Sequence, residues 1–313
     1  MPVKDKSPRK RNNGQGGVFR PDNIMDFPVC AQDEGAGLLD YVGRNMPSAS
    51  RTTLKSYLRH SQIAVNGVPV SQFDMELHDG DMVQVNTTRE FQVFRNPRLK
   101  IVYEDEDIIV VNKGYGLLSM GTDKVREGTV YSIICDYVKN IDPRNKIFIV
   151  HRLDQQTSGL MMLARSMEAK ERMQHNWNNM VLSRTYYCVV EGYVEEDTGT
   201  VRSYLAENSE HQVYSTEDPE KGRLAVTRFE VVGRGKGYSL LKVNLDTGRK
   251  NQIRVHMKDL GHPIAGDRRY GARTSPIRRL ALHAGTLRFV HPVSKRDMNF
   301  STPVPAAFLK MVR

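Results

Sequence analysis

The stretch HRLDQQTSGL, residues 151–160, lies between two apolar runs at residues 147–150 and 160–163. Short apolar runs bounded by turn-forming residues are typical of buried strands. The pattern therefore predicts two strands joined by a loop that carries Asp154, and such loops often present catalytic groups. An alternative interpretation is that Asp154 caps its own turn while Arg152 pairs with a surface acid.

Further motifs follow this stretch in order along the chain. Arg184-Thr185-Tyr186 is a basic-x-Tyr triplet, TGRKNQIRVH occupies residues 247–256, and LHA and FVHP occupy residues 282–284 and 289–292. Together with HRLDQQTSGL, they resemble the motifs of the RluA-type RNA pseudouridine synthases, in which His precedes Arg-Leu-Asp. The resemblance extends over roughly residues 99 to 305, and so many ordered matches are not expected by chance.

The resemblance implies an isomerase that acts on uridine within RNA. In this reaction the C1′–N1 glycosidic bond breaks, the uracil turns, and a carbon–carbon bond forms to C5. No redox step or group donor is needed, so the resemblance implies no cofactor and no metal. Asp154 would be the nucleophile or charge stabiliser, by attack on the sugar or by assisting elimination to a glycal, and the sequence leaves both routes open.

Three more residues receive roles from the resemblance. Tyr186 would stack on the uracil and take part in proton transfer, although a phenol with a pKa near ~10 is a poor base in water. Arg254 would pair with Asp154 and keep it ionised, whereas an ordinary ion pair on a helix face is the alternative. Arg152 would fill the space left by the target uridine, because an enzyme that acts on a base must extrude it.

Two positions depart from the family pattern within or beside its motifs. Gly114 stands after Lys113 where the family usually has Pro, and Asn251 stands where it usually has His. Glycine loosens a turn that proline would stiffen. Asn251 forms hydrogen bonds but carries no charge, which argues against a proton-transfer role there. The neighbouring Arg249 and Lys250 are assigned to RNA binding.

The composition favours a polyanionic partner. The chain has 313 residues, a formal net charge of +10 and a pI of about 9.5, and such a charge favours phosphate contacts with counterion release. Residues 1–20 contain six basic residues against Asp5, a net charge of +5. This segment is rich in Pro, Asn and Gly, so we expect a disordered arm that contacts RNA or merely aids solubility.

The cysteines and the hydropathy bear on the compartment. Cys30, Cys135 and Cys188 are far apart and lack metal-ligand spacing, which favours a reduced cytoplasmic compartment. No apolar stretch approaches the ~18 residues of a membrane span. We therefore expect a cytoplasmic protein without a membrane partner, and a monomer.

A basic helix is predicted near the start of the chain. Leu54 and Leu58 have core-like helical spacing, whereas Arg51, Lys55 and Arg59 recur every four residues on another face. Such a stripe could bind a phosphate backbone, although charge runs are usually only solvated faces. We assign Arg51, Lys55 and Arg59 to RNA binding.

Two features extend this helix into a small module at residues 37–86. Asn66-Gly67 is a strong signal for a two-residue hairpin turn, and an acidic turn at residues 77–81 leads into a short strand. The arrangement resembles the RNA-binding domain named after ribosomal small-subunit protein S-four. That resemblance implies that the module binds RNA.

The sequence predicts an α+β fold: a mixed, largely antiparallel sheet domain with flanking helices, preceded by the small α+β module. Its parts are a basic, disordered arm at residues 1–36, the RNA-binding domain at 37–86, a linker at 87–98 and the catalytic domain at 99–313. Within the last part, Thr129 is a candidate N-cap. One continuous helix is expected from Met167 to Met180, and Gly261 should end a helix after Arg249.

The expected activity is isomerisation of specific uridines in structured RNA, with large-subunit ribosomal RNA favoured because structured-rRNA members of the family often carry the small module. A transfer-RNA pseudouridine synthase is the nearest alternative, because it would use the same active site. A non-catalytic RNA-binding assembly factor would explain the charge but not Asp154, Tyr186 and Arg254. A hydrolase using Asp154 with His256 or His283 lacks a supporting Gly-x-Ser-x-Gly or metal-ligand motif.

Overall fold

The computed structural model describes residues 24–88, 90–91, 94–122 and 125–313. Its contacts divide the chain into two compact units, with the boundary between Val93 and Phe94. No helix among the described residues is long and apolar enough to cross a membrane. The basic segment at residues 1–20 lies outside the described residues.

The first unit is a four-stranded antiparallel sheet with two helices. Its strand order is β1-β4-β2-β3. The elements are β1 (Ile24–Pro28), α1 (Leu38–Asn45), α2 (Arg51–Arg59), β2 (Ile63–Val65), β3 (Val68–Pro69) and β4 (Met82–Asn86).

Local sequence accounts for the main features of this unit. The Ser50 side chain accepts a hydrogen bond from the Thr53 amide and so caps α2, as serine commonly does. Asn66 and Gly67 both have positive φ, 51° and 76°, which a type I′ hairpin turn requires.

The disordered arm was expected to reach residue 36, but residues 24–28 form β1. This strand pairs with β4 along five residues, so a partner distant in sequence orders it.

The second unit contains an eleven-stranded sheet in the order β11-β10-β12-β13-β9-β14-β8-β6-β5, with β15 beside β14 and β7 beside β8. Its first strands are β5 (Leu99–Glu104), β6 (Ile108–Lys113), β7 (Phe148–Ile149), β8 (Ser158–Ala164) and β9 (Val181–Glu191). The others are β10 (Thr198–Glu207), β11 (Val213–Thr216), β12 (Arg223–Gly235), β13 (Tyr238–Leu245), β14 (Leu282–Val290) and β15 (Asp297–Ser301). Its helices are α3 (Val130–Ile141), α4 (Met167–His175), α5 (Trp177–Met180), α6 (Gln252–Asp259) and α7 (Ala306–Met311). The mixed, mostly antiparallel α+β fold agrees with the sequence-based prediction.

Helices cover both faces of β6 and of its neighbour β8, the strand that follows the Asp154 loop. Ile109 and Val111 of β6 pack in one core cluster with α3, whereas Ile108 and Val110 pack in another with α4. Strands that are buried on both faces need continuous apolar sequence rather than alternation. This requirement explains the apolar runs of β6 and β8.

Two predicted helix boundaries are confirmed and one helix is different. Thr129 caps α3 in a reciprocal capping box with Ser132, and Gly261 follows α6 with φ of 80°. The helix expected from Met167 to Met180 instead breaks into α4 and α5 at Asn176. The Asn176 side-chain amide donates to the Arg172 carbonyl, and its backbone leaves the helical region. Asparagine competes in this way with the helix backbone.

The close pairing of β8 with β14 places the loop before β8 next to the sheet centre. Gly159 pairs with Ala284 in a parallel register. A Cβ at Gly159 would lie 2.1 Å from the Ala284 carbonyl oxygen, and φ there is 118°. Only glycine permits both the backbone angle and the approach, so this residue fixes where the loop ends and β8 begins.

Candidate active site

Asp154 lies in the loop between β7 and β8, as the apolar runs predict. The Thr157 amide donates to the Asp154 carbonyl at 3.1 Å. The adjacent Leu153 is held through both backbone groups: its carbonyl accepts from the Ser119 hydroxyl at 2.6 Å, and its amide donates to that oxygen at 3.1 Å. The loop backbone is therefore fixed while the Asp154 carboxylate stays 36% exposed.

Arg254, in the first turn of α6, reaches this carboxylate. Its Nη1 lies 3.6 Å from Asp154 Oδ2. The main partner of the guanidinium is a second acid, Asp267, which accepts from Nε at 2.7 Å and from Nη2 at 2.8 Å. The Tyr270 ring lies under the same guanidinium, 4.8 Å from Cζ to the ring centre. Asp267 and Tyr270 thus orient the Arg254 guanidinium, and its Nη1 group faces Asp154.

These partners determine the charge state of Arg254. Burial alone lowers the pKa of a guanidinium. Hydrogen bonds and charge from Asp267, followed by the charge of Asp154, outweigh burial and raise the pKa of Arg254. A permanent positive charge therefore faces Asp154.

Tyr186 projects from β9 into the same region. Burial raises the pKa of its phenol; Arg184 lowers that pKa and Asp154 raises it. The phenol is therefore neutral at physiological pH and available as a hydrogen-bond donor. A ring of this kind can also stack on a base.

Lys113 supports the Asp154 loop through a hydrogen bond to its backbone. The sequence analysis assigned no role to this lysine. The side chain is fully buried. Its Nζ donates to the carbonyls of Gly114 at 3.2 Å, Leu117 at 2.8 Å and Gln155 at 3.1 Å. Burial lowers the pKa of Lys113 to about 8, and the charge of Asp154 opposes this shift. The lysine thus ties the residue after Asp154 to the end of β6.

The two departures from the family pattern have structural explanations. The Gly114 amide donates to the Arg98 carbonyl at 2.7 Å, a bond that proline could not make. A Cβ at Gly114 would also lie 2.8 Å from that oxygen. Asn251 adopts a left-handed backbone, φ 53°, which asparagine tolerates better than most residues. Its side chain accepts from Arg254 and donates to the Tyr270 hydroxyl.

An open cleft of about 970 Å³ surrounds Asp154, Tyr186 and Arg254. Arg152 is exposed at its edge, and among the described residues no carboxylate pairs with it. Arg184 also lines the cleft, with its guanidinium 5.5 Å from the Trp177 ring. The cleft therefore combines cationic and aromatic groups, the chemistry that nucleic acids bind.

Arg249 and Lys250 lie on the same cleft wall, before α6. Both are exposed, yet each already has a partner. Arg249 Nε donates to the Leu224 carbonyl at 3.0 Å, and the Lys250 ammonium pairs with Glu207. RNA would have to compete with Glu207 for Lys250.

The histidines have structural partners. His151 Nε2 accepts from the Met162 amide, and burial lowers the pKa of this imidazole to about 3. His283 bonds to Ser158 and Thr302, and His256 bonds to Thr227 and Ser203. The bonds of His256 and His283 therefore give no support to a hydrolase that pairs either one with Asp154.

The basic stripe lies on α2 of the first unit. Lys55 and Arg59 are exposed and lack an ion-pair partner among the described residues. Arg51 lies 3.4 Å from Asp40, with both side chains 71% exposed. Pairs this exposed contribute little, so the three cations remain available to solvent.

Comparison with known proteins identifies the class. The family model described as RNA pseudouridylate synthase matches residues 107–259. An uncharacterised RNA pseudouridine synthase of Bacillus subtilis (strain 168) is 34% identical over 297 residues, which cover 93% of this chain and 97% of that protein. Ribosomal large subunit pseudouridine synthase D of Escherichia coli (strain K12) is 31% identical over 301 residues, covering 91% and 92%.

Solved structures agree on the catalytic fold. Human RNA pseudouridylate synthase domain containing 1 superposes with a TM-score of 0.56 at 25% identity, covering 68% of this chain and 86% of that one. The chain belongs to the RNA pseudouridine synthases. Within that family it is of the RluA type, and it is an isomerase.

Sequence reasoning located the Asp154 loop, Tyr186 and Arg254, but it missed Asp267 and Lys113. Asp267 lies within the region that resembles the family, but no role was predicted for it. A signal did exist: a lysine at the end of an apolar strand is expected to be solvated or bonded to many acceptors, because a buried ammonium requires partners.

Proposed function

We propose that this protein isomerises specific uridines to pseudouridine in structured RNA, namely in large-subunit ribosomal RNA. The observation that carries the proposal is the meeting of Asp154 and Arg254 at 3.6 Å beside Tyr186, in an open cleft lined by further arginines. The E. coli relative is named for the large ribosomal subunit and aligns along 91% of this chain. The name of this relative supports large-subunit ribosomal RNA as the proposed substrate.

The proposed catalytic roles follow from this geometry. Asp154 attacks the sugar or assists glycal formation, and Arg254 keeps the carboxylate ionised and aimed. Tyr186 stacks on the uracil and takes part in proton transfer, and burial keeps its hydroxyl neutral. Arg152, at the cleft edge, occupies the place of the extruded uridine.

Two surfaces are proposed to hold the RNA outside the reacting base. Arg249 and Lys250 contact the strand near the cleft, where Lys250 exchanges Glu207 for a phosphate. In the first unit, Arg51, Lys55 and Arg59 contact the phosphate backbone, as in an S-four-like RNA-binding domain. We further propose a cytoplasmic monomer without membrane partners.

The deciding experiment maps pseudouridine in ribosomal and transfer RNA from cells with and without the gene. Loss of modified sites from large-subunit ribosomal RNA is the expected result, and re-expression of the wild type should restore them. Loss confined to transfer RNA would establish the alternative substrate. If every pseudouridine persists, the proposed activity is wrong and the RNA-binding assembly factor becomes the better description.

A further inference from the structure

A second cavity, of about 400 Å³, lies directly beside the active-site cleft and shares Arg254 with it. Arginines dominate its lining: Arg254, Arg268, Arg278 and Arg279, against the single acid Asp267. Asp267 is already engaged by two hydrogen bonds from Arg254. The cavity therefore carries an excess of positive charge that its own acid does not neutralise.

The three remaining arginines differ from Arg254 in their partners. In the described part of the chain, no carboxylate pairs with Arg268, Arg278 or Arg279. Arg279 donates to the Ser158 hydroxyl at 3.0 Å and lies between two rings, 5.0 Å from that of Tyr115 and 5.1 Å from that of Phe308. Burial lowers the pKa of this guanidinium, so an anion beside it would relieve an unfavourable charge.

The backbone holds this cavity in shape without a ligand. Gly266, with φ of 84°, packs so closely on Arg279 that an added Cβ would lie 2.2 Å from the Arg279 carbonyl. The Gly266 amide donates to Thr274 at 2.8 Å, and the Arg278 amide donates to Ser275 at 3.0 Å. Arg278 itself has φ of 55°, a conformation that costs energy in residues with side chains and is often found at functional sites.

We propose that this cavity, which we call the arginine pocket, binds a backbone phosphate of the RNA next to the target uridine. The inference rests on the proposed function and adds a subsite to it. Guanidinium groups bind phosphate oxygens with paired, charge-assisted hydrogen bonds. Arg254 lines both cavities and contacts Asp154. A phosphate bound in the arginine pocket therefore holds the RNA backbone close to Asp154, on the other side of the Arg254 guanidinium. The pocket would thus set which nucleotide enters the cleft.

The test combines protein and RNA changes on one hairpin that contains a target uridine. Arg268→Gln and Arg278→Gln remove exposed charges that hold no partner among the described residues, so the fold should persist. Each should weaken hairpin binding about tenfold and lower the slope of log affinity against log salt by about 0.7. Arg278→Lys, which keeps the charge, should recover part of the affinity. Arg273→Gln, an exposed arginine on the same segment outside the cavity, should bind like the wild type.

Neutral methylphosphonate groups then locate the phosphate. Placed in turn on either side of the target uridine, one such group should weaken wild-type binding to a similar extent. The same group should cause no further loss of affinity in the Arg278→Gln variant. The variant already lacks the interaction between Arg278 and this phosphate, so neutralising the phosphate removes nothing more. The proposal is overturned if, at every methylphosphonate position, the fold-losses of affinity from the variant and from the neutral group simply multiply. It is also overturned if both glutamine variants bind the hairpin with unchanged affinity.

Binding and turnover separate this inference from the proposed function. Affinity and salt dependence report on the pocket even if the wild type forms no pseudouridine. Conversely, normal turnover with no coupling between Arg278 and any phosphate leaves the activity in place and removes the subsite.

Discussion

At the scale of single residues, the site depends on how one arginine is shared between two acids. Arg254 makes two short hydrogen bonds to Asp267 and a longer contact to Asp154. Removing the Asp154 charge therefore leaves Arg254 paired. This arrangement separates the chemistry of Asp154 from the stability of the fold.

Asp154→Asn is expected to abolish pseudouridine formation while folding and RNA affinity stay near wild-type values. Asparagine has a similar shape, but it lacks the charge and the nucleophilicity. Tritium release from RNA labelled at uridine C5 measures turnover, and circular dichroism measures folding. Substantial turnover by a folded variant would remove Asp154 from its proposed role.

Tyr186→Phe keeps the ring and removes only the hydroxyl. We expect the variant to bind RNA normally but turn over more slowly, because the neutral phenol is a donor that phenylalanine lacks. Single-turnover kinetics at saturating enzyme separate the two effects. An unchanged rate constant would confine Tyr186 to packing and stacking.

Sequence motifs were sufficient for the residues that face the cleft, and insufficient for those behind it. Asp154 and Arg254 belong to recognisable motifs, whereas Asp267 is important because it hydrogen-bonds a residue thirteen positions earlier in the chain. Lys113 meets Gln155 across 42 positions. Contacts of this kind depend on the tertiary fold, and no local spacing encodes them.

At the scale of elements, α2 provides a regular set of charges that can be tested separately from the active site. Replacing Arg51, Lys55 and Arg59 with Gln should weaken RNA binding and lower the slope of log affinity against log salt by about 2 to 3, at ~0.7 to 0.9 per lost phosphate contact. The buried Leu54 and Leu58 remain in place, so the helix should persist. Turnover at saturating RNA should survive.

A matched variant with Lys139, Lys236 and Lys310 replaced by Gln loses the same charge from the second unit. Its salt slope should change less than that of the α2 variant. Equal slopes in the α2 variant and the wild type would mean that the stripe is only a solvated face. A collapse of the saturating rate with intact affinity would instead mean that the first unit orients the substrate.

Elements with strong local signals were predicted well, and those that need a distant partner were not. The Asn66-Gly67 turn and the Thr129 cap follow from their own residues. The break at Asn176 places Trp177 beside Arg184, and β1 exists because β4 offers it an edge. Hydrophobic periodicity predicts neither the helix break at Asn176 nor the pairing of β1 with β4.

At the scale of the whole molecule, the strand order could not be read from the sequence. β14 lies between β8 and β9, although more than a hundred residues separate it from β8. The class of a largely antiparallel sheet with separate helices follows from composition and patterning. The insertion of a late strand at the centre is a long-range pairing without a local signature.

That central pairing buries His283, and the burial predicts acid sensitivity. Burial, together with the positive charge of Arg279, lowers the pKa of His283 to about 4. The unfolded chain takes up this proton near pH ~6.5, so between about pH 4 and 6.5 it binds more protons than the native state. Stability should therefore fall as the pH falls through this window, by up to about 1.4 kcal/mol per pH unit for this group.

His283→Gln removes the titrating group. Urea unfolding at several pH values should show a shallower dependence of the unfolding free energy on pH in this variant than in the wild type. His175→Gln, an exposed histidine on α4, should keep the wild-type dependence. Identical pH dependence in His283→Gln and wild type would show that folding does not lower the pKa of His283.

The sharing of Arg254 also has a consequence for reversibility. If the route is covalent, Asp154 loses its negative charge when it becomes an ester of the sugar, and it regains that charge when the ester opens. Throughout this cycle the Asp267 carboxylate, which is almost fully buried, keeps the guanidinium compensated. The guanidinium thus keeps a charged partner at both ends of the bond-making step, and the negative charge that Asp154 loses passes to the departing uracil and returns when the ester opens.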